Sequence, residues 1–249
     1  MMNRVKTESE ITAMRTGGQI LAQVLEFLKP QTVAGITTGE LSGLAASETK
    51  RLGGGTPILG YEGYPEPICI CINDEVVHGI PGDRVVRDGD IVSFDFCVSY
   101  DGMITDAATT IGVGAVSKEA KRLMHATADS LALGIKAAQA GIVVDDISGV
   151  IEDRLRRDKL GVVEALCGHG VGHGIHEDPE IPNFRTGYPG PKLLAGMTIA
   201  IEPMATLGHH AVRLAPDRWT FKTVDGSLSA QFEHTILITD RGSEILTKA

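Results

Sequence analysis

The feature that most constrains this chain is the segment from Gly89 to Ala108, in which β-branched and aromatic residues flank an Asp-Gly pair. Asp-Gly is favoured in two-residue hairpin turns because both central residues need positive φ. With Asp101-Gly102 as the turn, Cys97 lies opposite Asp106, and Asp95 shares their face because side chains alternate along a strand. The segment therefore predicts an antiparallel hairpin whose two aspartates are diagonal neighbours, about 7–8 Å apart at the backbone.

Two carboxylates that converge within an apolar strand pair are costly to bury unless they are paired, protonated or bound to a metal. The hairpin contains no Lys or Arg that could pair with them. Either aspartate alone could instead cap a turn or face solvent. Both together predict a metal site.

Composition narrows the class of protein. The chain has 249 residues, 43% of them hydrophobic and 22% charged, which is typical of a folded globular protein. Its net charge of −9 argues against broad nucleic-acid binding, although it does not exclude a local basic patch. No run of residues is apolar enough for a membrane span, and Met1–Glu8 lacks the apolar segment of a secretory signal. We therefore expect a cytoplasmic protein without a membrane or nucleic-acid partner, whose four cysteines are reduced, buried thiols.

The order of predicted elements indicates an α+β fold. Helices are expected over 9–28 and from the capping box at Thr37 to Gly53, and again over 118–140 and from Asp145 to about Gly161. Strands are expected at 68–72, in the hairpin, and at Val162–Leu166, Met197–Glu202 and Phe232–Thr239. A helix pair followed by antiparallel strands thus occurs twice. We predict one domain over 1–249, built from two like halves around a curved antiparallel sheet, with the site in the cleft between them.

A glycine-rich segment from Cys167 to Pro179 supplies candidate histidines at 169, 173 and 176. Its alternating glycines let the backbone approach a ligand closely. A phosphate-binding loop is the rival interpretation, but the segment opens no amphipathic helix and ends in Glu-Asp-Pro, the wrong charge for a phosphate. The spacing does not decide which histidine has which role.

Two glutamates are embedded in predicted strands without a local cation: Glu202, at the end of an apolar run, and Glu233, within another. Each alone could lie at an exposed edge or pair with a distant Arg. Together with the aspartates and a histidine they predict a carboxylate-rich centre for two ions such as Mn²⁺, Fe²⁺, Co²⁺ or Zn²⁺, sharing a water that becomes hydroxide at neutral pH. The chain has neither a His-Glu-x-x-His helix nor a Gly-x-Ser-x-Gly elbow.

The motifs around these residues resemble those of the type I methionine aminopeptidases, which have the pita-bread fold, over essentially the whole chain. The matching positions are Asp95 with Asp106, His78 in Val-His-Gly-Ile-Pro, His169 in Cys-Gly-His-Gly, His176 in Ile-His-Glu-Asp-Pro, Glu202 in Ala-Ile-Glu-Pro, and Glu233 in Gln-Phe-Glu-His-Thr.

The resemblance implies five metal ligands and three catalytic residues. Asp106 and Glu233 would bridge two ions, Asp95 would bind the first, and His169 with Glu202 the second. Glu202 would also accept a proton from the bridging water. His176 would hydrogen-bond the scissile carbonyl and stabilise the oxyanion, and His78 would contact the scissile amide nitrogen.

The resemblance also implies a slot for an unbranched thioether side chain, lined by Tyr61, Tyr64, Cys69, Ile175 and Trp219. Ile175 stands where several relatives carry Phe, Ile58 where some carry Cys, and His173 where some carry a basic residue. These departures concern the shape of the slot.

The expected reaction is removal of the N-terminal methionine from nascent proteins and peptides by a monomeric enzyme. One rival is an Xaa-Pro peptidase such as prolidase or aminopeptidase P, which usually has an extra N-terminal domain that 249 residues leave no room for. Another is a binding module of the same fold that has lost its metal, against which the five intact ligands argue.

Overall fold

The computed structural model describes residues 5–248, so residues 1–4 and 249, the two ends of the predicted domain, lie outside the described part. Its helices are α1 (Glu8–Gln31), α2 (Thr38–Arg51), α3 (Lys118–Ala137) and α4 (Val144–Arg157), with a short 3-10 turn at Tyr61–Gly63. Its strands are β1 (Cys69–Ile72), β2 (Glu75–Val77), β3 (Ile91–Tyr100), β4 (Met103–Gly112), β5 (Gly161–Val162), β6 (Gly168–Gly170), β7 (Glu177–Ile181), β8 (Thr198–Ile201), β9 (Met204–Thr206), β10 (Val212–Leu214), β11 (Phe221–Thr223), β12 (Ser229–Gln231), β13 (His234–Thr239) and β14 (Gly242–Ile245).

The aspartate hairpin forms in the predicted register. β3 and β4 are antiparallel, with Cys97 opposite Asp106 and Asp95 opposite Ala108. The turn residues Asp101 and Gly102 have φ values of 47° and 76°, as a two-residue turn of this kind requires. The register places both aspartates on one face of the strand pair.

The first half of the chain packs α1 and α2 against the sheet β1-β3-β4. Both helices begin with a capping box, Thr7 with Glu10 and Thr37 with Glu40. The first helix continues past its predicted end near Leu28 because the N–H of Thr32 closes its last turn on two carbonyl groups, so that Pro30 lies inside the helix. The apolar faces of these helices and of the sheet form one core cluster.

The second half packs α3 and α4 against the five-stranded sheet β14-β13-β8-β6-β7, around a second core cluster. Asp145 and Asp146 were expected to cap the fourth helix, but they lie in its first turn, where Asp146 accepts a hydrogen bond from the N–H of Val143 at 3.3 Å. The predicted strand Val162–Leu166 is reduced to Gly161–Val162, because β5 pairs only with Thr206 and Ala205 of β9.

The two sheets meet where β4 approaches β13. The N–H of Glu233 donates to the carbonyl of Ala108 at 2.9 Å, and the Thr235 hydroxyl bonds both the N–H and the carbonyl of Asp106 at 2.8 Å. Two like halves, each a helix pair on an antiparallel sheet, are the predicted α+β arrangement. Within residues 5–248 no helix has the length and apolar character needed to cross a membrane.

Candidate active site

One cavity at the junction of the halves contains all five residues proposed as metal ligands, together with His78, His176 and the apolar residues Ile58, Cys69, Cys97 and Ile175. The ligand candidates come from five places in the fold: Asp95 on β3, Asp106 on β4, His169 on β6, Glu202 just after β8, and Glu233 just before β13. All except the half-buried Asp95 are buried.

Strand pairing explains why the three ligands of the second half converge. β8 pairs with β13 so that Ile201 lies opposite His234, which brings the residues just beyond, Glu202 and Glu233, side by side. On its other edge, β8 pairs His169 of β6 with Ala200. Glu202 was expected at the end of a strand and lies directly after β8, whereas Glu233 was expected within a strand but lies directly before β13. Both carboxylates reach the cavity.

The buried oxygen and nitrogen atoms lie close enough to share an ion. Asp106, His169 and Glu233 each offer one ligand atom, and these atoms lie within 4.8 Å of one another. His169 Nδ1 donates to the carbonyl of Gly170 at 2.9 Å, which directs Nε2 towards Glu202 Oε1 at 3.5 Å and Asp106 Oδ2 at 3.9 Å. This arrangement is that of a metal-binding histidine held by its second nitrogen.

The carboxylates lack the partners that buried anions need. Asp106 Oδ1 and Glu233 Oε1 are buried without a hydrogen-bond partner, and no Lys or Arg within residues 5–248 forms an ion pair with the four acidic groups. Two orphaned oxygens on neighbouring carboxylates are what an absent cation would leave behind. The donor set, four carboxylates and one imidazole, fits hard-to-borderline divalent ions.

The pKa values of these groups also indicate a cation site. Burial, reinforced by the neighbouring carboxylates, raises the pKa values of Asp95, Glu202 and Glu233 well above their usual range. Burial also lowers the pKa of His169, so its imidazole is neutral and able to bind a metal at pH 7. Only added positive charge makes three such acids ionise together.

Two further histidines line the cavity beside the cluster. The Nδ1 atom of the exposed His176 and the Tyr61 hydroxyl share a hydrogen bond of 3.2 Å, and the His176 ring meets that of His169 edge-on at 4.5 Å. Burial and the nearby His176 lower the pKa of His78 to about 4, so His78 is neutral at pH 7. Its φ of 58° is unusual for a non-glycine residue and turns the chain after β2.

The residues expected to line a specificity slot form one apolar cluster. Tyr64, Cys69 and Ile175 are its buried members, and Tyr61 and Trp219 pack against them at the edge. The hydroxyl of Tyr64 donates to the Gly79 carbonyl at 2.8 Å, which satisfies its polar end, and its ring meets Trp219 edge-on at 5.1 Å. Ile58, one of the departures from the family pattern, completes the wall.

Two residues that touch the carboxylates were not predicted from the sequence. Gln231 directs Nε2 towards Asp95 and Glu202 at 3.5 and 3.4 Å, and Cys97 donates from Sγ to Asp106 Oδ2 at 3.1 Å. The signal for Gln231 was its position two residues before Glu233 in an extended run, which places both on one face. Cys97 had been placed on the aspartate face without a role.

Comparison with known proteins identifies relatives of the chain. The model of metallopeptidase family M24 matches residues 12–240. A methionine aminopeptidase of Clostridium perfringens is 43% identical over 98% of both chains, and methionine aminopeptidase 1 of Bacillus subtilis is 42% identical over the same shares. The solved methionine aminopeptidase of Thermotoga maritima has a TM-score of 0.97 at 42% identity over the whole of both chains. The prolidase of Pyrococcus furiosus, at 22% identity, has a TM-score of 0.81 over 98% of this chain and 65% of its own, and shares the fold alone.

Proposed function

The chain belongs to metallopeptidase family M24 and, within it, to the type I methionine aminopeptidases of the pita-bread fold, and on that premise we propose which of its residues bind metal and act on the substrate. It is a metal-dependent hydrolase that removes the N-terminal methionine from nascent proteins and peptides. The proposed centre holds two divalent ions, of Mn, Fe, Co or Zn, on Asp95, Asp106, His169, Glu202 and Glu233.

The observation that carries the proposed centre is the pair of orphaned oxygens, Asp106 Oδ1 and Glu233 Oε1. They belong to the two carboxylates that would bridge the ions. Asp95, His169 and Glu202 would complete the ligand set.

When bound, two such ions polarise a carbonyl group and lower the pKa of a water molecule towards 7. Glu202 would accept the proton of that water, and its carboxylate lies in the cavity beside His169 and Gln231.

The histidines act on the peptide bond itself. His176 lines the cavity, and in the tautomer whose Nδ1 accepts from the Tyr61 hydroxyl its Nε2 donates to the scissile carbonyl oxygen. This donor stabilises the charge that develops on that oxygen. His78 contacts the scissile amide nitrogen, and burial lowers its pKa to about 4, so it is neutral at pH 7.

The apolar cluster of Tyr61, Tyr64, Cys69, Ile175 and Trp219 binds the methionine side chain. A thioether gains favourable contacts with aromatic edges, and the slot's walls offer no charge to a polar side chain. The amino end of a nascent polypeptide is therefore the substrate partner, entering with its first side chain in the slot.

The test is release of methionine from Met-Ala-Ser by metal-stripped protein, before and after addition of Mn²⁺ or Co²⁺, with Ala-Pro-Ser as the parallel substrate. We expect metal-dependent cleavage of the first peptide only, and two ions per chain by calorimetric titration. Glu202→Gln should lower kcat by about 100-fold or more, and His176→Ala by about 100-fold. Glu244→Gln, a half-buried carboxylate that pairs with Arg15 and does not line the cavity, is the matched control and should leave kcat unchanged.

Each other outcome would contradict one part of the proposal. Cleavage of Ala-Pro-Ser alone would make the slot one for an Xaa-Pro peptide. A stoichiometry of one ion would remove the bridging role from Asp106 and Glu233. Failure to bind any ion would favour the binding-module alternative.

The enzyme is further proposed to act in the cytoplasm as a monomer, without nucleic acid. The net charge of −9 supports the last point, because a nucleic-acid surface needs positive charge. Light scattering at working concentration tests the oligomeric state, and a mass near 26.4 kDa is expected.

A further inference from the structure

The loop between β6 and β7 presents two residues of the proposed site, Ile175 in the slot and His176 in the cavity. The loop is rich in glycine and has few conformational restraints of its own. Gly172 has a φ of 146°, its N–H donates to the Gly174 carbonyl at 3.1 Å, and its own carbonyl accepts the N–H of Ile104 at 2.7 Å. Something outside the loop must therefore hold its second part, residues 173–176.

Glu177, the residue directly after His176, supplies that restraint. Its side chain is fully buried and accepts three hydrogen bonds. Lys6 Nζ donates to Oε2 at 2.9 Å, and the backbone N–H groups of His173 and Gly174 donate to Oε1 at 2.6 and 3.0 Å. Although burial opposes it, Lys6 and the two amides hold the pKa of Glu177 below its usual value, so it is ionised at neutral pH.

Lys6 is itself held against the loop. Its side chain is fully buried, and its N–H donates to the Gly196 carbonyl at 2.8 Å. A Cβ atom on Gly172 would lie 2.4 Å from Lys6 Cε, so the lysine stem passes directly beneath the glycine. Four residues later, Glu10 of α1 accepts a hydrogen bond from His173 Nε2 at 2.7 Å. The segment from Lys6 to Glu10 thus contacts the loop at both Gly172 and His173.

We propose that Lys6 and Glu177 are positioning residues for the reaction, which hold residues 173–176 so that His176 reaches the scissile carbonyl and Ile175 closes the slot. The inference rests on the proposed function, in which His176 contacts the scissile carbonyl and Ile175 lines the slot. Neither Lys6 nor Glu177 lines the cavity, so both act through the loop.

Stability alone is a weaker explanation of this pair. In a buried ion pair the attraction between the charges only about offsets their loss of hydration, and proteins with apolar residues in place of the pair are often as stable. The ionised Glu177 instead fixes the course of the backbone that leads to His176, because one of its carboxylate oxygens accepts hydrogen bonds from two successive backbone N–H groups.

The test compares Lys6→Met, which keeps an unbranched apolar stem and removes the charged end, with Lys6→Arg, which keeps the charge. Arg15→Met is the matched control, because it breaks an ion pair of the same helix region without touching the loop. Two readouts are used. The first is hydrogen exchange of the His173 and Gly174 amides in metal-free protein. The second is kcat and KM for Met-Ala-Ser at 25 °C, per metal-loaded site.

We expect Lys6→Met to speed exchange of both amides by about tenfold and to lower kcat by about tenfold, with metal affinity within twofold of the wild type. Lys6→Arg should restore most of kcat, and Arg15→Met should change neither readout. If Lys6→Met does not fold, Glu177→Gln takes its place. It keeps the shape and one acceptor oxygen, and it should lower kcat by about threefold.

Normal kcat in a folded variant whose unfolding temperature alone has fallen would overturn the positioning role, as would unchanged exchange of the two amides. The exchange experiment needs neither metal nor activity. A wild-type protein that bound no metal would thus refute the proposed function, while the amide exchange would still report on the hold of Lys6 on the loop.

Discussion

At the scale of single residues, the site depends on donors that orient its buried carboxylates. Cys97 is the clearest example, because its Sγ donates to Asp106 Oδ2 at 3.1 Å from the neighbouring strand. Burial raises the pKa of the Cys97 thiol well above its usual value, so it stays protonated and remains a donor. Partners that orient metal ligands in this way commonly affect metal affinity 10–100-fold.

Replacing Cys97 by Val should therefore weaken binding of Mn²⁺ by about tenfold, the low end of that range, because a thiol is a weak donor. Cys97→Ser keeps a donor at the same position and should stay within about threefold of the wild type. Calorimetric titration of metal-stripped protein measures both. Equal affinity for the Val and Ser variants would show that the thiol only fills space.

Glu10 combines two local roles, in the capping box of α1 and in the contact with His173. Hydrogen bonds from the Thr7 backbone, from His173 and from the Thr7 hydroxyl lower its pKa from 4.5 to about 2. A carboxylate with a depressed pKa stabilises the fold above its unfolded value, and this contribution is lost as the pH falls towards the folded value.

Glu10→Gln should thus destabilise metal-free protein at pH 7 by about 0.5–1 kcal/mol, since Gln retains the capping box but loses the charge and the site is largely solvated. The difference from the wild type should shrink between pH 4.5 and about 2. Urea unfolding at pH 7 and pH 3 measures it. Glu8→Gln, on the same helical turn, is the control, and a difference that grew on acidification would contradict the assignment.

At the scale of elements, the hairpin β3–β4 sets the geometry of the site. It carries two of the ligand candidates, Asp95 and Asp106, and its register depends on the turn at Asp101 and Gly102. A one-residue slip of one strand would turn its aspartate to the face opposite the other aspartate.

Gly102→Ala places a Cβ on a residue with a φ of 76° and should cost about 1 kcal/mol of unfolding free energy. Gly43→Ala is the matched control, because Gly43 lies in α2 with open space around it, and the change should stabilise the protein by about 0.5–1 kcal/mol. Denaturant unfolding of both variants should give effects of opposite sign. Effects of the same sign would contradict the turn assignment.

At the scale of the whole molecule, the site joins the two halves. Asp95 and Asp106 come from the first sheet, and His169, Glu202 and Glu233 come from, or flank, strands of the second. An ion that binds ligands of both halves binds only the assembled fold. Metal binding is therefore expected to stabilise the protein as a whole.

Free metal at 100 times its Kd should stabilise the fold by about 2.7 kcal/mol, which is about 5–10 °C in Tm for a chain of this size. Thermal unfolding with EDTA and with Mn²⁺ measures the shift. Glu233→Gln should remove most of it, because that residue is proposed to bridge the ions, whereas Glu244→Gln should keep it. A shift that survived in Glu233→Gln would argue against the bridge.

Much of the fold was predicted from local sequence patterns. Turn preference and strand alternation placed Asp95, Cys97 and Asp106 on one face, and the strand register agrees residue by residue. The same patterns were less accurate at strand ends, because Glu233 was expected inside a strand and lies just before β13. Pairing partners, not local propensity, decide where a strand stops. The ligand and catalytic roles themselves came from the family resemblance and stay predictions that the experiments above test.

The sequence by itself determined the two like halves, the aspartate hairpin and the family motifs, because turn preference, side-chain period and short motifs act over a few residues. Only the tertiary structure decided the rest. The order β13-β8-β6 brings His169 beside Glu202, and the fold carries Lys6 to Glu177, 171 residues away in sequence. Such contacts depend on which buried faces pack together, and no local signal in the chain records that choice.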